Sequence, residues 1–474
     1  MEPATRSSQT PLHVLHVGTS GDYPPFSSWP VEAALPRGFS VDVARAFARE
    51  EGLELRWVRF RWPDLLDDLA AGRFDLALSG VTIRPERSAA GLSSIPLATS
   101  GALVLMPLAR PPSPDAARRL LGGPGLRLAV NAGGHLERVA RSRFPHAIVA
   151  AIPDNAAVLR RLASGDADGV VTDLVEAPLW QAAWQTEWQA AWQAEGRPAD
   201  QDAAREDARR EPPLPSRSLH PIGPFTRDHK AGLWRPERTD LARRFDAWLW
   251  VAEAAGRLDE LRRRHGLPSE RTAEPGAALL TRLDERLSLM PAVARTKAIL
   301  AQPIEDGARE AQVLAAARRS VAQAAWRAGR PAPEEPIIDE LFRAQMEAAR
   351  WIQLRELDAR TTPMIPATST PPTSAPRAAS PGSVDDARAE LEGVLRPALI
   401  RIGDRLADLL VAWIAEPDAA LAPERVARAL ERHALPAPMI ERLAAALQAL
   451  RKDAAADASR RPPPTAGSGR VPSA

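Results

Sequence analysis

Two lysines and one tyrosine are the first residues of this 474-residue sequence whose types point to chemistry. Lysine and arginine together number 62, yet only three of these residues are lysine, and there is a single tyrosine. Lysine and arginine serve equally well as solvated surface charges, but a site that needs a compact ammonium on a flexible stem requires lysine. The first candidates for a functional site are therefore Lys230, Lys297 and Tyr23. The alternative is that these rare residue types stand at their positions by chance. Lys452 lies in a polar tail and fits a plain solvated charge.

Composition narrows the class of protein. Hydrophobic residues make up 45% of the chain, and a chain of this length favours two or three folded domains. A net charge of +2, with arginines interspersed among acids, argues against a nucleic-acid surface. No apolar run approaches the roughly 20 residues of a membrane span. The absence of cysteine excludes disulfides and thiol chemistry. The polar first residues favour either a cytoplasmic protein or an exported one whose signal precedes this numbering.

The spacing of apolar residues divides the chain into two halves. From Leu12 to about Leu267, short apolar runs alternate with helical stretches, which predicts buried parallel strands joined by crossover helices. The predicted strands lie at 13–17, 53–58, 75–78, 126–130 and 169–172. At 275–358 and 384–455 the spacing is helical, which predicts an all-α half.

Four tryptophans follow the fifth predicted strand at intervals of four residues, each followed by glutamine: Trp180, Trp184, Trp188 and Trp192. On a helix they form one slowly rotating aromatic stripe. We expect this stripe to pack against the helical half or a second subunit. A membrane-surface role is the weaker alternative, because no lysine-rich face accompanies the stripe.

Four motifs of the first half resemble, in order and spacing, the type 3 periplasmic solute-binding proteins, which are two-lobed clamps. These motifs are GTSGDYPPF at 18–26, GFSVD at 38–42, WPDLL at 62–66 and FDLALSGVT at 74–82. The resemblance assigns ligand binding to Tyr23, Trp62, Ser79, Thr82 and Arg87. Hydroxyls and N–H groups at a strand end, followed by a two-pronged guanidinium, suit a carboxylate. A plain surface arginine is the alternative for Arg87.

Later motifs narrow this resemblance. NAGGHLE at 131–137 is a glycine turn that opens a helix and suits an anion, which adds Gly134 and His135 to the candidate ligands. Asn155 follows in PDN. TDLVEA at 172–177 pairs Asp173, where plain amino-acid binders commonly hold a ligand ammonium, with a second acid at Glu176. This pairing resembles the cyclohexadienyl dehydratases, enzymes that evolved from the same clamp.

That resemblance implies dehydration and decarboxylation of prephenate to phenylpyruvate, with arogenate as an alternative substrate. Hydroxide is a poor leaving group unless it is protonated as it leaves, so a general acid is needed. Glu176 could serve if closure of the lobes buries it and Asp173 helps to raise its pKa. Arg87 and Thr82 would hold one carboxylate, and Lys230 or the glycine turn would face the other. Two features depart from the family: a histidine at 135 where threonine is usual, and a lengthened segment at 172–221.

The helical half resembles the exported gamma subclass of the AroQ chorismate mutases. Arg286 and Lys297 are eleven residues apart, about three helical turns, and so share a face. Asp306, Arg309 and Glu310 follow at positions i, i+3 and i+4 of the next predicted helix, and all three are candidate substrate ligands.

The family resemblance assigns roles to these positions. Arg286 and Arg309 would hold the two carboxylates of chorismate, Lys297 and Gln353 the ether oxygen, and Glu310 the ring hydroxyl. A later helix would bring Arg396 over the same site. Ala349 replaces a usual hydroxyl residue.

The reaction explains these residue types. Rearrangement of chorismate is pericyclic and needs no nucleophile, acid or metal. The protein must hold a flexible dianion in its reactive shape and stabilise negative charge on the breaking ether oxygen. A solvated helix face would pair Arg286 and Lys297 with acids four residues on, but Met290 and Ala301 stand there.

The two halves explain each other, because the product of one is the substrate of the other. We therefore predict a multidomain protein with an α/β two-lobed periplasmic-binding-protein-like clamp and an all-α chorismate mutase domain, acting on chorismate and prephenate without metal or cofactor. The alternatives are a receptor or transport module for an amino acid or aromatic acid fused to a mutase, and a mutase fused to an inactive clamp. The resemblance favours a periplasmic location over a cytoplasmic one, and leaves homo-oligomer formation open.

The predicted bounds complete the sequence analysis. Disordered ends are expected at 1–11 and 457–474, and a polar linker at 268–276. The clamp spans 12–267, with lobe 1 at about 12–107 and 231–267, and lobe 2 at about 108–230 including an insertion at 178–217. The helical domain spans 277–456, with a loop rich in Pro, Ser and Thr at 361–382.

Overall fold

The computed structural model describes residues 14–194, 218–361, 383–416 and 421–460. The chain divides into two compact units between Ala273 and Glu274, and the short segment 84–89 is grouped with the second unit. In these described ranges no helix is long and apolar enough to cross a membrane. The same ranges contain no group of three or more His, Asp or Glu side chains arranged to hold a metal ion.

The first unit contains two sheets, one for each lobe. Its strands are β1 (Val14–Thr19), β2 (Asp22–Tyr23), β3 (Ser27–Ser28), β4 (Glu54–Arg59), β5 (Leu76–Thr82), β6 (Leu92–Ser93), β7 (Ala98–Ser100), β8 (Ala102–Leu108), β9 (Arg127–Asn131), β10 (Ile148–Ile152), β11 (Gly169–Asp173), β12 (Ser218–Ile222) and β13 (Asp228–Trp234). Lobe 1 has the order β4-β1-β5-β13-β6, with β7 on β13, and lobe 2 has β10-β9-β11-β8-β12. The strands β2 and β3 form a hairpin.

Helices cover these sheets and connect their strands. Those preceding the second unit are α1 (Phe39–Glu51), α2 (Leu65–Ala70), α3 (Pro85–Ala90), α4 (Pro114–Gly122), α5 (His135–Arg143), α6 (Asn155–Ala163), α7 (Ala177–Ala194), α8 (Thr239–Ala254) and α9 (Arg257–Arg264). The described residues of the second unit form helices and the turns between them, which confirms the predicted helical half.

The predicted α/β class is confirmed, but two details of it are wrong. The sheets are mixed rather than parallel, because β13 runs antiparallel to β5, and β8 runs antiparallel to both β11 and β12. The lobe bounds also shift: β8 belongs to lobe 2, and β13, which carries Lys230, belongs to lobe 1. An apolar run such as Ala102–Leu108 reads as a strand in the sequence, but its partners decide which sheet it joins.

The first two tryptophans of the stripe pack inside lobe 2. Trp180 and Trp184 are buried in one core cluster with Leu103, Leu105 and Val158. We expected the stripe to pack against the helical half or a second subunit. For these two tryptophans that expectation is wrong, because they pack against residues of the lobe 2 sheet. The side chains of Trp188 and Trp192 lie outside the described part of the chain.

The second unit is built from α10 (Pro275–Ser288), α11 (Met290–Ile299), α12 (Gly307–Arg327), α13 (Glu335–Thr361), α14 (Val384–Ala389), α15 (Arg396–Ile414), α16 (Pro423–Ala429) and α17 (Ala437–Arg460). A π-helical segment, Glu390–Leu395, joins α14 to α15. The last helix runs past the predicted start of the tail at 457. The remaining tail, the first 13 residues, the stretch 195–217 and most of the 361–382 loop lie outside the described residues.

The connector between the units is not the free linker that its polar composition predicts. Thr272 is 4% exposed and Ala273 is fully buried. The hydroxyl of Thr272 accepts a hydrogen bond from Arg262 at 3.2 Å and donates one to the carbonyl of Pro96 at 3.0 Å. The residues up to Ala273 therefore pack as part of the first unit.

Candidate active sites

The strand end that the sequence predicts as a ligand site depends on Gly80. Its φ of +67° lies in the left-handed region, and a Cβ atom there would stand 2.7 Å from the rings of Phe26 and Tyr23. The neighbouring Ser79 is fully buried, and its hydroxyl is within hydrogen-bonding distance of Ser20 and Ser27 at 2.9 and 2.6 Å. Ser79 thus supports the turn beneath the cleft, rather than presenting a free hydroxyl to it.

Asp173 lies at the centre of the cleft between the two lobes. It ends β11, is fully buried, and accepts from the backbone N–H groups of Val175 and Glu176 at 3.0 and 3.1 Å through Oδ1. Its other oxygen, Oδ2, accepts from the Tyr23 hydroxyl and lies 3.2 Å from the Lys230 ammonium. Both of these partners belong to lobe 1, so this carboxylate joins the two lobes.

Glu176 stands one turn beyond Asp173 and is 1% exposed. The Thr172 hydroxyl donates to its Oε2 at 2.7 Å, and the Asn155 amide donates to its Oε1 at 2.8 Å. Burial raises the pKa of Glu176 to about 8, and the charge of Asp173 contributes to this rise against the two hydrogen bonds, which oppose it. At neutral pH this carboxyl is therefore mostly protonated, and a protonated carboxyl can act as an acid.

Two side chains of lobe 1, Lys230 and Tyr23, lie against the Asp173 carboxylate. The Lys230 ammonium donates to the Thr82 hydroxyl at 3.0 Å and stands 5.1 Å from the centroid of the Tyr23 ring. Burial, followed by the charges of Asp173 and Glu176, raises the pKa of the Tyr23 phenol well above its ordinary value. Tyr23 therefore keeps its proton and acts as a hydrogen-bond donor.

His135 faces the start of β13, and the glycine turn before it approaches Pro63 of lobe 1. Gly133 has a φ of +72° and lies so close to Pro63 that a Cβ atom would stand 2.7 Å from it. The imidazole of His135, in the first turn of α5, is 2.9 Å from the Asp228 carboxylate. Burial alone would raise the pKa of Asp228, but the His135 ring and the Lys230 ammonium lower it to about 2. The Asp228 carboxylate thus faces His135, the histidine that stands where the family usually has threonine.

Three further predicted ligands have different surroundings. Trp62 lies in a short 3₁₀ turn, donates to the Asp22 carboxylate at 3.1 Å and meets the Tyr23 ring edge-on. Gly134 caps α5 and is half-buried. Arg87 is buried on α3, within the segment grouped with the second unit, so its carboxylate-binding role stays a prediction.

A cavity of about 520 Å³ lies within the helical unit. It is lined by all seven residues that the sequence predicts for the mutase site: Arg286, Lys297, Asp306, Arg309, Glu310, Gln353 and Arg396. Methionine, valine and phenylalanine side chains share the lining. The cavity therefore combines several cations with an apolar wall, which suits a compact anion.

Two cations in this cavity, Arg286 and Lys297, are held by backbone oxygens. Arg286 donates to the Leu399 carbonyl at 3.1 Å, and no acid pairs with it among the described residues. Burial lowers its pKa to about 10, so it keeps its charge at neutral pH. Lys297 donates to the carbonyls of Pro303 and Ile304, both at 3.1 Å. Burial also lowers its pKa, aided by the neighbouring Arg396 and Arg309 and opposed by Asp306 and Glu310.

Two residues of this set have structural partners. Asp306 caps α12, because its carboxylate accepts from the backbone N–H of Arg309 at 3.0 Å. Glu310 accepts from Arg350 at 3.1 Å. Arg350 was missed in the sequence analysis, although it lies three residues before Gln353 on the same helix.

The remaining two lie on separate helices. Gln353 is 7% exposed, and its amide donates to the Ala349 carbonyl at 3.3 Å. Its Oε1 is buried without a hydrogen-bond partner in the described chain. Arg396 begins α15 and lies 3.5 Å from Glu392.

Comparison with known protein families gives a match to the first unit. Residues 15–268 match the bacterial extracellular solute-binding proteins, family 3. Cyclohexadienyl dehydratase of Pseudomonas aeruginosa is 32% identical over 245 residues, which cover 52% of this chain and 80% of that protein. The L-cystine-binding protein TcyJ of Escherichia coli is 28% identical over 163 residues, covering 34% of this chain and 60% of that protein.

Solved structures give similar matches. The ancestral amino acid-binding protein AncCDT-1, a precursor of cyclohexadienyl dehydratase, is 26% identical, with 53% of this chain and 95% of that chain covered and a TM-score of 0.42. The match to the family spans more than half of the sequence, so the chain belongs to the bacterial extracellular solute-binding proteins, family 3.

Proposed function

We propose that the chain is a bifunctional enzyme that rearranges chorismate to prephenate in the helical unit and converts prephenate to phenylpyruvate in the clamp. One observation carries the second activity: Glu176 is buried near the charge of Asp173 and holds its proton near neutral pH. The identity with cyclohexadienyl dehydratase supports the same reaction. The name of the matched family supports an exported location.

In the proposed clamp reaction, Glu176 transfers its proton to the ring hydroxyl of prephenate as the C–O bond breaks, and water leaves with the electron pair of that bond. The bond between the ring and its carboxylate breaks at the same time, and its electrons complete the aromatic ring as carbon dioxide departs. Each turnover consumes one proton. Thr172 and Asn155 hold the carboxyl in place, and Asp173 helps to keep it protonated.

The observation that supports the mutase activity is the convergence of seven predicted residues on one cavity. Residues far apart in the sequence line it, and two of its cations have only backbone partners among the described residues. Backbone carbonyls hold a cation in place without cancelling its charge, so that charge remains for a ligand.

In the proposed rearrangement, Arg286 and Arg309 hold the two carboxylates and fold the substrate into its reactive shape. Lys297 and Gln353 donate to the ether oxygen as the C–O bond breaks and the new C–C bond forms. Donors fixed in advance stabilise that developing charge without reorganising.

A receptor that binds an amino acid is the second candidate, and membership of a solute-binding family favours it. The two candidates differ in turnover. Purified protein incubated with chorismate should consume it and form phenylpyruvate. If supplied prephenate binds but disappears no faster than it decays spontaneously, the clamp is a receptor and the enzymatic proposal is wrong.

A further inference from the structure

The Asp173 carboxylate has no free acceptor position. Its Oδ1 accepts from two backbone N–H groups, and its Oδ2 accepts from the Tyr23 hydroxyl and forms an ion pair with the Lys230 ammonium at 3.2 Å. A carboxylate offers about four lone-pair positions, and here three hydrogen bonds and one ion pair, all from the chain itself, occupy its two oxygens. A ligand ammonium that enters the closed cleft would find no acceptor at this carboxylate.

The ammonium that Asp173 does bind belongs to the protein. Lys230 extends from β13 of lobe 1, is 3% exposed, and reaches the lobe 2 carboxylate at 3.2 Å. It forms an ion pair there and donates one of its three N–H groups to Thr82. Its ammonium can still donate to an acceptor, such as a carbonyl or carboxylate oxygen of a ligand.

We infer that Lys230 occupies the position of a ligand ammonium and makes the clamp selective for α-keto acids over the corresponding α-amino acids. Prephenate and arogenate differ at this one group, so this inference, which rests on the proposed function, assigns prephenate as the preferred substrate. An α-ammonium would meet the Lys230 charge with no free carboxylate to neutralise it. Repulsion between two such charges out of bulk water is worth at least about tenfold in affinity.

The test uses two ligands that differ at the same group, phenylpyruvate and L-phenylalanine. Isothermal titration calorimetry on the full chain should give at least about tenfold tighter binding of the keto acid. Lys230→Met keeps the length of the stem but removes the charge, and should reduce this preference at least about tenfold. Lys452→Met is the matched control at an exposed lysine and should keep the parental preference.

A second variant protects the test against misfolding of Lys230→Met. Lys230→Gln also removes the charge but keeps an N–H donor for Thr82, so it should lose the preference as well. Three binding outcomes would overturn the inference: equal or tighter binding of L-phenylalanine by the parent, no binding of phenylpyruvate, or the parental preference kept by the folded Lys230 variants.

Conversion of prephenate and of arogenate is measured in a separate experiment. If prephenate is bound but not converted, the proposed enzymatic function fails while the keto-acid preference stands. If both prephenate and arogenate are converted with equal kcat/KM, the enzymatic function stands and the preference is wrong.

Discussion

The clamp cleft and the helical cavity both suit anionic ligands, but they arrange charge in opposite ways. The cleft buries two carboxyls, Asp173 and Glu176, and pairs one of them with its lysine. The helical cavity gathers cations that are held by backbone carbonyls, such as Arg286 and Lys297. The first arrangement provides a proton, whereas the second provides fixed positive charge.

This difference matches the two proposed reactions. Loss of hydroxide needs an acid whose pKa lies near the working pH, and burial beside a like charge produces one at Glu176. A pericyclic rearrangement transfers no proton, so a titrating acid would contribute nothing to it. The residue types of each site therefore follow from whether a leaving group must be protonated.

Removal of the cavity lysine should have a large effect on one activity alone. Lys297→Ala deletes a preorganised donor and should lower the mutase kcat about 100- to 1,000-fold. Conversion of supplied prephenate should be unchanged, since that reaction uses the other unit. Lys452→Ala is the matched control. Stopped assays of chorismate consumption give the measurement.

Lys297→Arg sharpens the same point. The guanidinium keeps the charge but is planar and bulkier than an ammonium, so the mutase rate should fall in this variant as well. If chorismate is rearranged at nearly the parental rate, the rarity of lysine in this sequence carries no information about this site.

The dehydratase should lose activity with rising pH before the mutase does. The protonated form of Glu176 is the active one, so kcat/KM for prephenate should be full below its pKa and fall as the pH rises through about 8. The decline should be about tenfold per pH unit. A profile with no decline above pH 8 would exclude Glu176 as the acid.

Thr172→Val should move this decline. The Thr172 hydroxyl donates to Glu176 and lowers its pKa, so its removal should shift the loss of activity to higher pH. The mutase profile should not move. A shift to lower pH would mean that the hydroxyl stabilises the protonated form.

We expect the smallest effect from Asp306, because its carboxylate already caps α12. Asp306→Ala should cost about 1 kcal/mol in the free energy of unfolding and change the mutase rate only a few-fold. Asp306→Asn retains a capping oxygen and should restore most of that stability. A loss of rate in the asparagine variant as large as that of Lys297→Ala would identify Asp306 as a substrate ligand, as the sequence suggests.

The sequence predicted those features of the fold that depend on the spacing of nearby residues. Five strands were expected within two residues of their observed starts, because apolar runs bounded by turns define them. The mutase residues were proposed because Arg286 and Lys297 were expected on one helix face without acids at the next turn. The structure instead places them on two consecutive helices, α10 and α11, although both line the same cavity. Pairing between distant residues was not predictable. The contacts of Asp173 with Lys230 and of His135 with Asp228 depend on which strands cross between the lobes, and the sequence analysis misplaced those crossings.

The central claim is that two sites of opposite charge arrangement act in succession, and one variant tests it most directly. Glu176→Gln keeps the size and hydrogen bonding of the side chain but cannot donate a carboxylic proton; Glu54→Gln makes the same change at an exposed position. With chorismate as the only substrate, Glu176→Gln should consume it at the parental rate and accumulate prephenate, with phenylpyruvate formation about 100- to 10,000-fold slower. Phenylpyruvate formed within a few-fold of the parental rate, or chorismate left unconsumed by the folded parent, would contradict the account.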